Sequence, residues 1–433
     1  MLSHLKKIYD LLPKEYLKFL RYTPDRLLFG KSYSEWKSKV SFDKSLIDQN
    51  LFDTLNYARE HTAYGKDHIP NKFDISEVKS ILESLPMITS YDLATNLSYY
   101  TSDEYNTFNS YSATTGGTGR HPTTVLFSNE LYGIEWAHVH HIWSSIGYDR
   151  KRDTKLTLRG KILHGDKLVE YNPLYNELVV DVFKVNKNNF SQLIEAIKPY
   201  NIKYIHGYPS LIKEYMIYFE YHNVIPKLNG ILLTSEGVSV LEKKQISDFF
   251  GCKVLSFYGQ SERALIAADF DSNGIYKVYT SYGYPRIVDG ELVITSFVNR
   301  ALPLVNYKIG DGAELIEDEH CLYLKNLTSR RGKDFVYLTK EKKTSVTLLA
   351  MHTNVEAEIL YYQIHQKEFG KINILLLLKP NSLMLSEKLS KTFGDAVKRE
   401  LKDFEINVRV VNEQEIIKSH KGKMILLVQE LEV

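Results

Sequence analysis

Between Asn189 and Glu262 the sequence alternates helical and strand-like periodicity three times. Apolar residues recur at helical spacing over 190–197, 210–221 and 240–250, and each stretch is followed by a short apolar run, at 203–206, 230–234 and 253–257. Strands separated by helices of this length need crossover connections, which implies βαβ units and a parallel sheet. Ligands of such sheets bind beyond the carboxyl ends of the strands. The residues that follow these three strands are Gly207-Tyr208-Pro209-Ser210, Ser235-Glu236-Gly237 and Tyr258-Gly259-Gln260-Ser261-Glu262. Each alone reads as an ordinary βα turn. Three on one edge read as a site.

A second constraint lies upstream, in Thr114-Thr115-Gly116-Gly117-Thr118-Gly119-Arg120. Glycines let successive backbone N–H groups turn toward an anion, and the threonine hydroxyls and Arg120 add donors suited to phosphate oxygens. The two familiar nucleotide fingerprints do not fit. A Walker loop ends in Gly-Lys-Ser/Thr, and the Rossmann pattern needs another glycine three residues after Gly119. Taken alone, the loop also reads as a surface turn.

Composition narrows the class. A chain of 433 residues has room for two or three domains, and 43% hydrophobic with 25% charged residues is ordinary for a globular protein. A net charge of +2 gives no electrostatic footprint for nucleic acid. Two cysteines, Cys252 and Cys321, exclude a disulfide scaffold or a cysteine-ligated zinc cluster. No run approaches the roughly 20 apolar residues of a membrane span. Lys6, Lys7 and Asp10 interrupt any signal-peptide core, so a cytoplasmic protein is expected. Residues 2–21 form a basic amphipathic stretch (Leu2, Leu5, Ile8, Leu12, Tyr16, Leu17, Leu20), expected to pack its stripe on its own protein rather than on a membrane.

Elsewhere, residues 45–100 read as helices, with a capping pattern at Thr89-Ser90-Tyr91-Asp92. A helix over 128–146 carries His138, His140 and His141; Ser145 stands where an HHxxxD acyl-transfer motif needs aspartate, and no metal spacing follows. Asp289-Gly290 marks a hairpin turn, short strands continue through 304–324, and Gly310-Asp311-Gly312 is expected at a bend. The charge run Ser329–Asp334 reads as a linker. The last hundred residues alternate strand (372–378), helix (387–403) and strand (407–411), which suits a small α+β domain.

The order and spacing of these stretches resemble the adenylate-forming superfamily, in its phenylacetate–CoA ligase-like and CapK-like branch, from Tyr111 to Lys423. Thr114 to Pro122 resembles its TSGTTGxP phosphate loop. Tyr258–Glu262 matches YGxSE, Tyr307-Lys308-Ile309-Gly310-Asp311 is similar to YxTGD, Arg331-Gly332-Lys333-Asp334 to the GRxKD hinge, and Gly422-Lys423 to the closing GK. The resemblance implies an α/β fold. A large N-terminal domain (1–332) with parallel βαβ sheets and a small β-barrel-like subdomain is followed by a small mobile α+β domain (333–433). It further implies an ATP-dependent acid ligase that makes an acyl-AMP with Mg²⁺.

In that scheme the glycine loop holds the β- and γ-phosphates and Glu262 binds Mg²⁺. Tyr258 stacks on adenine with Gly259, Gln260 and Ser261 beside it, Glu236 and Gly237 line the adenine edge, and Asp311 and Arg331 bind the ribose. Lys423 reaches the α-phosphate, Arg120 assists at the phosphates, and Lys333 is the pivot. Trp136, His140, His206, Gly207 and Tyr208 are expected, from loop position, to form a compact acyl pocket. The partners are a small carboxylic acid and a small-molecule acceptor: CoA, or an amino sugar or nucleotide sugar of surface-polysaccharide synthesis. The segment 348–359 lacks the Gly and Pro of the family's post-hinge motif, which favours an acceptor other than CoA. Ala267-Ala268-Asp269-Phe270 lacks the cysteines of a zinc cluster, so none is expected. The rival of another class is a nucleotide- or acyl-binding module without turnover.

Overall fold

The computed structural model describes residues 14–114, 124–328, 335–346, 355, 358–378, 382, 385–417 and 426–431. The chain divides into two compact units. The first comprises Met1–Val40, Tyr132–Phe257 and Ala268–Gly274; the second comprises Ser41–Leu131, Tyr258–Ala267 and Ile275–Val433.

Ahead of the alternating region lies an antiparallel hairpin of the second unit, β1 (Ser110–Thr114) and β2 (Thr124–Ser128), paired from Ser110↔Ser128 to Thr114↔Thr124. Helix α1 (Asn129–Ser144) follows. The first unit then builds its sheet from β3 (Lys155–Arg159), β4 (Val169–Asn172), β5 (Glu177–Asp181), β6 (Tyr204–Gly207), β7 (Gly230–Leu233) and β8, which starts at Lys253 and ends at Gly259. Their order is β8-β7-β6-β3-β5-β4, parallel throughout except for β4. The crossovers β6→β7 and β7→β8 run through α2 (Pro209–Tyr221) and α3 (Val240–Phe250), as the periodicity predicts. Strands β6 and β7 are buried at every residue, which is why they read as unbroken apolar runs. Helix α3 starts on a Ser239–Glu242 capping box and stops at Gly251, whose left-handed φ of 63° closes the C-terminus.

In the second unit the helix Ile47–His61 and its short neighbours fill the region expected to be helical, and Thr89 and Asp92 form the expected capping box. After β9 (Ile266–Asp269), strands β10 (Tyr276–Val278), β11 (Gly283–Val288), β12 (Glu291–Ser296), β13 (Tyr307–Glu317) and β14 (Leu322–Thr328) pair antiparallel in the order β11-β12-β13-β14-β10. Asp289 and Gly290 both have positive φ (52° and 76°), the geometry of a type I′ turn. The bend expected at Gly310-Asp311-Gly312 is instead the interior of β13. The register shifts beside Gly312 toward both neighbouring strands, so a bulge absorbs the irregularity without ending the strand.

The last hundred residues form a four-stranded sheet. Strand β17 (Ile359–Glu368) pairs with β18 (Lys371–Leu378), β18 with β19 (Glu405–Val410), and β17 with β20 (Leu427–Gln429); β15 (Phe335–Tyr337) and β16 (Lys343–Ser345) pair separately. Helix α4 (Ser386–Glu400) places Leu389, Phe393 and Val397 on Ile364, Ile374 and Leu376, giving this region a core of its own.

Candidate active site

Two sequence motifs of the second unit interlock. Tyr258 Oη donates to Asp311 Oδ2 at 2.8 Å, and Tyr307 Oη donates to Glu262 Oε1 at 2.9 Å. The donor of each bond lies in one motif and its acceptor in the other. Glu262 is 8% exposed and Tyr307 1%, so the carboxylate is oriented by a hydroxyl that water does not reach. Tyr307 and Asp311 stand four residues apart on β13, where its register toward β12 shifts. Burial, with Asp311 adding to it, holds the Tyr258 hydroxyl well above the usual phenol range. Gln260 Oε1 accepts from the Leu265 amide at 3.0 Å and closes the turn between them, while Gly259 is exposed and Ser261 half-buried.

Arg263 is the residue that the sequence reading missed. It follows Glu262 at a left-handed φ of 52°, donates to Tyr111 Oη and stacks 4.7 Å over the Phe127 ring. Tyr111 and Phe127 face each other across the β1–β2 hairpin, so the turn that carries Glu262 is fastened to the hairpin. The hairpin pairs to its last rung, Thr114↔Thr124, which frames the stretch expected to hold phosphates. Thr115, Gly116, Gly117, Thr118, Gly119 and Arg120 lie outside the described residues, as do Arg331, Lys333 and Lys423. The ends of the segment carrying Lys423 are nonetheless anchored. Buried Gln363 exchanges two hydrogen bonds with the Ile417 backbone, at 2.9 and 3.0 Å, and the next residue, Ile364, donates its amide to the Leu426 carbonyl at 2.8 Å.

The first unit gathers most of the expected acyl-pocket residues. On α1, Trp136 and His140 lie with ring centroids 5.2 Å apart, and Trp143 stands 5.9 Å from Trp136 and 4.9 Å from His206 on β6. Phe29 and Tyr33 complete the cluster; Tyr33 Oη is 2.8 Å from His140 Nδ1. Trp143, Phe29 and Tyr33 were not singled out from the sequence. The 136/140/143 spacing on one helical face was the available signal for Trp143.

Beside the rings lies a buried ion pair, Lys155 Nζ to Glu177 Oε2 at 3.1 Å, with Thr157 Oγ1 donating to the same oxygen at 2.9 Å. Burial works against both charges. Their mutual attraction prevails, raising the lysine and lowering the glutamate. The histidines go the other way. Burial first, then the nearby Lys155 charge, pushes His140 down to about 3; burial with Arg159 and Lys155 holds His206 well below its ordinary value. Both are neutral at physiological pH. His206 Nδ1 is buried with no hydrogen-bond partner among the described residues.

Gly207 ends β6 where a side chain has no room: a Cβ there would lie 2.3 Å from the Leu158 carbonyl oxygen. Tyr208, with the Arg159 guanidinium 5.8 Å over its ring, leads into α2. Glu236 accepts from the Ser210 amide at 3.0 Å and from its hydroxyl at 2.9 Å, so its carboxylate caps the N-terminus of α2; Gly237 beside it is exposed. Because β6, β7 and β8 are parallel and in register, the 207–210 and 235–237 turns leave one edge, as the alternation implied.

Two solved structures share this fold. The chain superimposes on 2-hydroxyisobutyryl-CoA ligase in complex with 2-HIB-AMP and CoA with a TM-score of 0.53, at 14% identity, covering 89% of this chain and 90% of that one. The same ligase in its postadenylation state gives a TM-score of 0.51 at 15% identity, with 89% of each chain covered. The fold is that of the adenylate-forming ligases. No family model matches the chain. In sequence it resembles Protein CapK of Staphylococcus aureus, at 24% identity over 220 residues, 48% of this chain and 49% of that protein. It also resembles the indoleacetate–lysine synthetase of Pseudomonas savastanoi, at 25% over 155 residues, 34% and 38% of the two chains. The matched part therefore spans half or less of these relatives.

Proposed function

We propose that the chain is an ATP-dependent ligase that activates a carboxylic acid as acyl-AMP and passes the acyl group to an acceptor. The observation that supports it best is the reciprocal locking of Tyr258 to Asp311 and Tyr307 to Glu262, fastened by Arg263 to the hairpin that frames the glycine loop. In the first step a carboxylate oxygen bonds to the α-phosphorus and the bond to the bridging oxygen breaks, releasing pyrophosphate. One anion attacking another needs donors and positive charge placed where charge accumulates. The amides of the 114–119 loop, Arg120 and Lys423 would supply them. Tyr258 would support adenine with Gly259–Ser261, Glu236 and Gly237 would border its edge, and Asp311 with Arg331 would take the ribose hydroxyls.

Glu262 suits Mg²⁺: a hard cation prefers carboxylate oxygen, and Tyr307, a neutral donor, orients that carboxylate without cancelling its charge. When bound, the ion offsets charge developing on the phosphates. On this reading Glu262→Gln lowers pyrophosphate release roughly 10²–10³-fold and raises the Mg²⁺ concentration needed for half-maximal rate. Tyr307→Phe, which leaves the carboxylate in place but unfixed, costs about tenfold. Equal rates for wild type and Glu262→Gln across a Mg²⁺ titration would remove the ion from this residue.

The acid would bind among Trp136, His140, Trp143, His206, Gly207 and Tyr208. A neutral imidazole nitrogen without a partner among the described residues, set among rings, favours a compact acid with a hydroxyl or amino substituent over a long alkyl chain. For the acceptor, similarity to CapK and to a synthetase whose name joins an acid to lysine favours direct transfer to an amine, such as an amino sugar or nucleotide sugar in surface-polysaccharide synthesis. Transfer to CoA is the alternative. Residues 333–433 would move as a body about Lys333, withdrawing Lys423 for the second step. The reaction would take place in the cytoplasm.

The deciding experiment is pyrophosphate release from ATP and Mg²⁺ across a panel of carboxylic acids, with hydroxylamine as the trap. Release with one group of acids establishes adenylation, and adding amino sugars or CoA identifies the acceptor. ATP binding without release for any acid favours a binding module.

A further inference from the structure

We propose that the N-terminal face formed by Tyr16, Phe19 and Tyr22 docks the protein on an anionic lipid surface. The described part of the amphipathic stretch, Lys14–Tyr22, is 3₁₀-helical with a kink at Leu17 (φ −95°, ψ 16°); past the kink, Phe19 and Tyr22 stand three apart and eclipse one another. Tyr16 before the kink and Phe19 and Tyr22 beyond it all face solvent: they are 81%, 63% and 59% exposed. Leu17 and Leu20 are half-buried, as expected of a stripe packed on its own protein, but the aromatic row is not covered. Leu27, in the next helix, is 77% exposed. Aromatic rings at this density on a surface element are the composition of an interfacial anchor.

Charge identifies the occupant. Residues 1–31 carry seven Lys and Arg against three Asp and Glu, whereas the remaining 402 residues carry 48 against 50. All of the chain's positive excess is thus at this end. Asp25, three residues past Tyr22, is turned inward: it pairs with Arg150 at 2.7 Å and Lys151 at 3.6 Å. Lys18 and Arg26 stay exposed. The element is also held in place. Arg150, itself buried, donates to the carbonyls of Arg21 and Thr23 and to Asp25, which fixes the C-terminal end of the helix to the first unit. A rigidly mounted aromatic row beside exposed cations is complementary to phospholipid headgroups of negative charge. A neutral protein partner would not require the cations.

The test is co-sedimentation of the full chain with vesicles of phosphatidylcholine alone and of phosphatidylcholine with phosphatidylglycerol. Binding is expected to the anionic vesicles, to weaken with added salt, and to fall roughly tenfold or more in a Tyr16→Ser/Phe19→Ser variant. Lys18→Glu should weaken it about fivefold or more. Tyr16 and Phe19 are exposed, so the double variant should melt like the wild type. A Phe19→Trp variant supplies a second readout, a blue shift of its fluorescence on anionic vesicles only. No binding, or binding unchanged by the double variant, would overturn the proposal. So would a dimer in light scattering that the double variant abolishes, since a second copy would then cover the row.

Discussion

Replacing Lys423 with alanine is expected to lower adenylate formation by roughly 10²–10³-fold while ATP affinity changes little. The lysine's proposed work is at the α-phosphate, where charge increases as the acid attacks, and a cation there counts for more in the transition state than in the ground state. Adenine and ribose contacts, which would dominate ground-state affinity, would come from Tyr258, Asp311 and their neighbours. The described residues that flank the segment containing it, Ile417 and Leu426, are bonded to the adjacent residues Gln363 and Ile364. Pyrophosphate exchange measured beside ATP binding separates the outcomes. A rate unchanged in Lys423→Ala would take the lysine out of the first step. Weakened ATP binding with a proportionate loss of rate would make it a ground-state contact.

Acid should destabilise the fold steeply between pH 6.5 and 5. His138 and His206 are deeply buried, and burial holds both below their ordinary value, His138 at about 4. His138 Nδ1 donates to the Ile134 carbonyl at 2.9 Å. Below about pH 6.5 the unfolded chain takes up protons that the folded chain refuses, so stability is lost as pH falls through that window. At pH 5 His138 alone then costs about 2 kcal/mol, and His206 adds to it in the same direction, a large share of a typical folding free energy. His140, pushed down to about 3, acts in the same direction. Urea unfolding at pH 7.5 and pH 5 measures the slope. His206→Gln, whatever its effect at neutral pH, should make that slope shallower by about one proton. Equal stability at the two pH values would show that these imidazoles titrate normally in the fold.

The βαβ core was legible because it is a local signal. Burial on both faces of β6 and β7 demands apolar runs, and the helices between them need their own period, so element type and order follow from residue spacing alone. The same holds for the Asp289-Gly290 turn and for the Thr89 cap, whose chemistry sits within four residues. The motif residues were legible too, as residue types in a familiar order. Their partners were not. Tyr258 and Asp311 are 53 positions apart, Tyr307 and Glu262 45, and Arg263 and Tyr111 152. A sequence pattern cannot say which hydroxyl a buried carboxylate will meet, because that depends on how strands from different parts of the chain are brought together. Arg263 escaped notice for this reason, and so did Phe29 and Tyr33, which reach α1 from more than a hundred residues away.

The sequence by itself determined the alternating architecture, the turn and cap positions, and the residue types available for phosphate, metal and acid chemistry, since each depends on spacing along the chain. Only the tertiary structure decided that two motifs exchange tyrosine–carboxylate hydrogen bonds, that Gly310-Asp311-Gly312 lies inside a bulged strand, that Glu236 caps a helix, and that the N-terminal aromatic row faces outward. Those outcomes depend on which groups lose water together. Burial is a property of the packed chain and not of any segment of it.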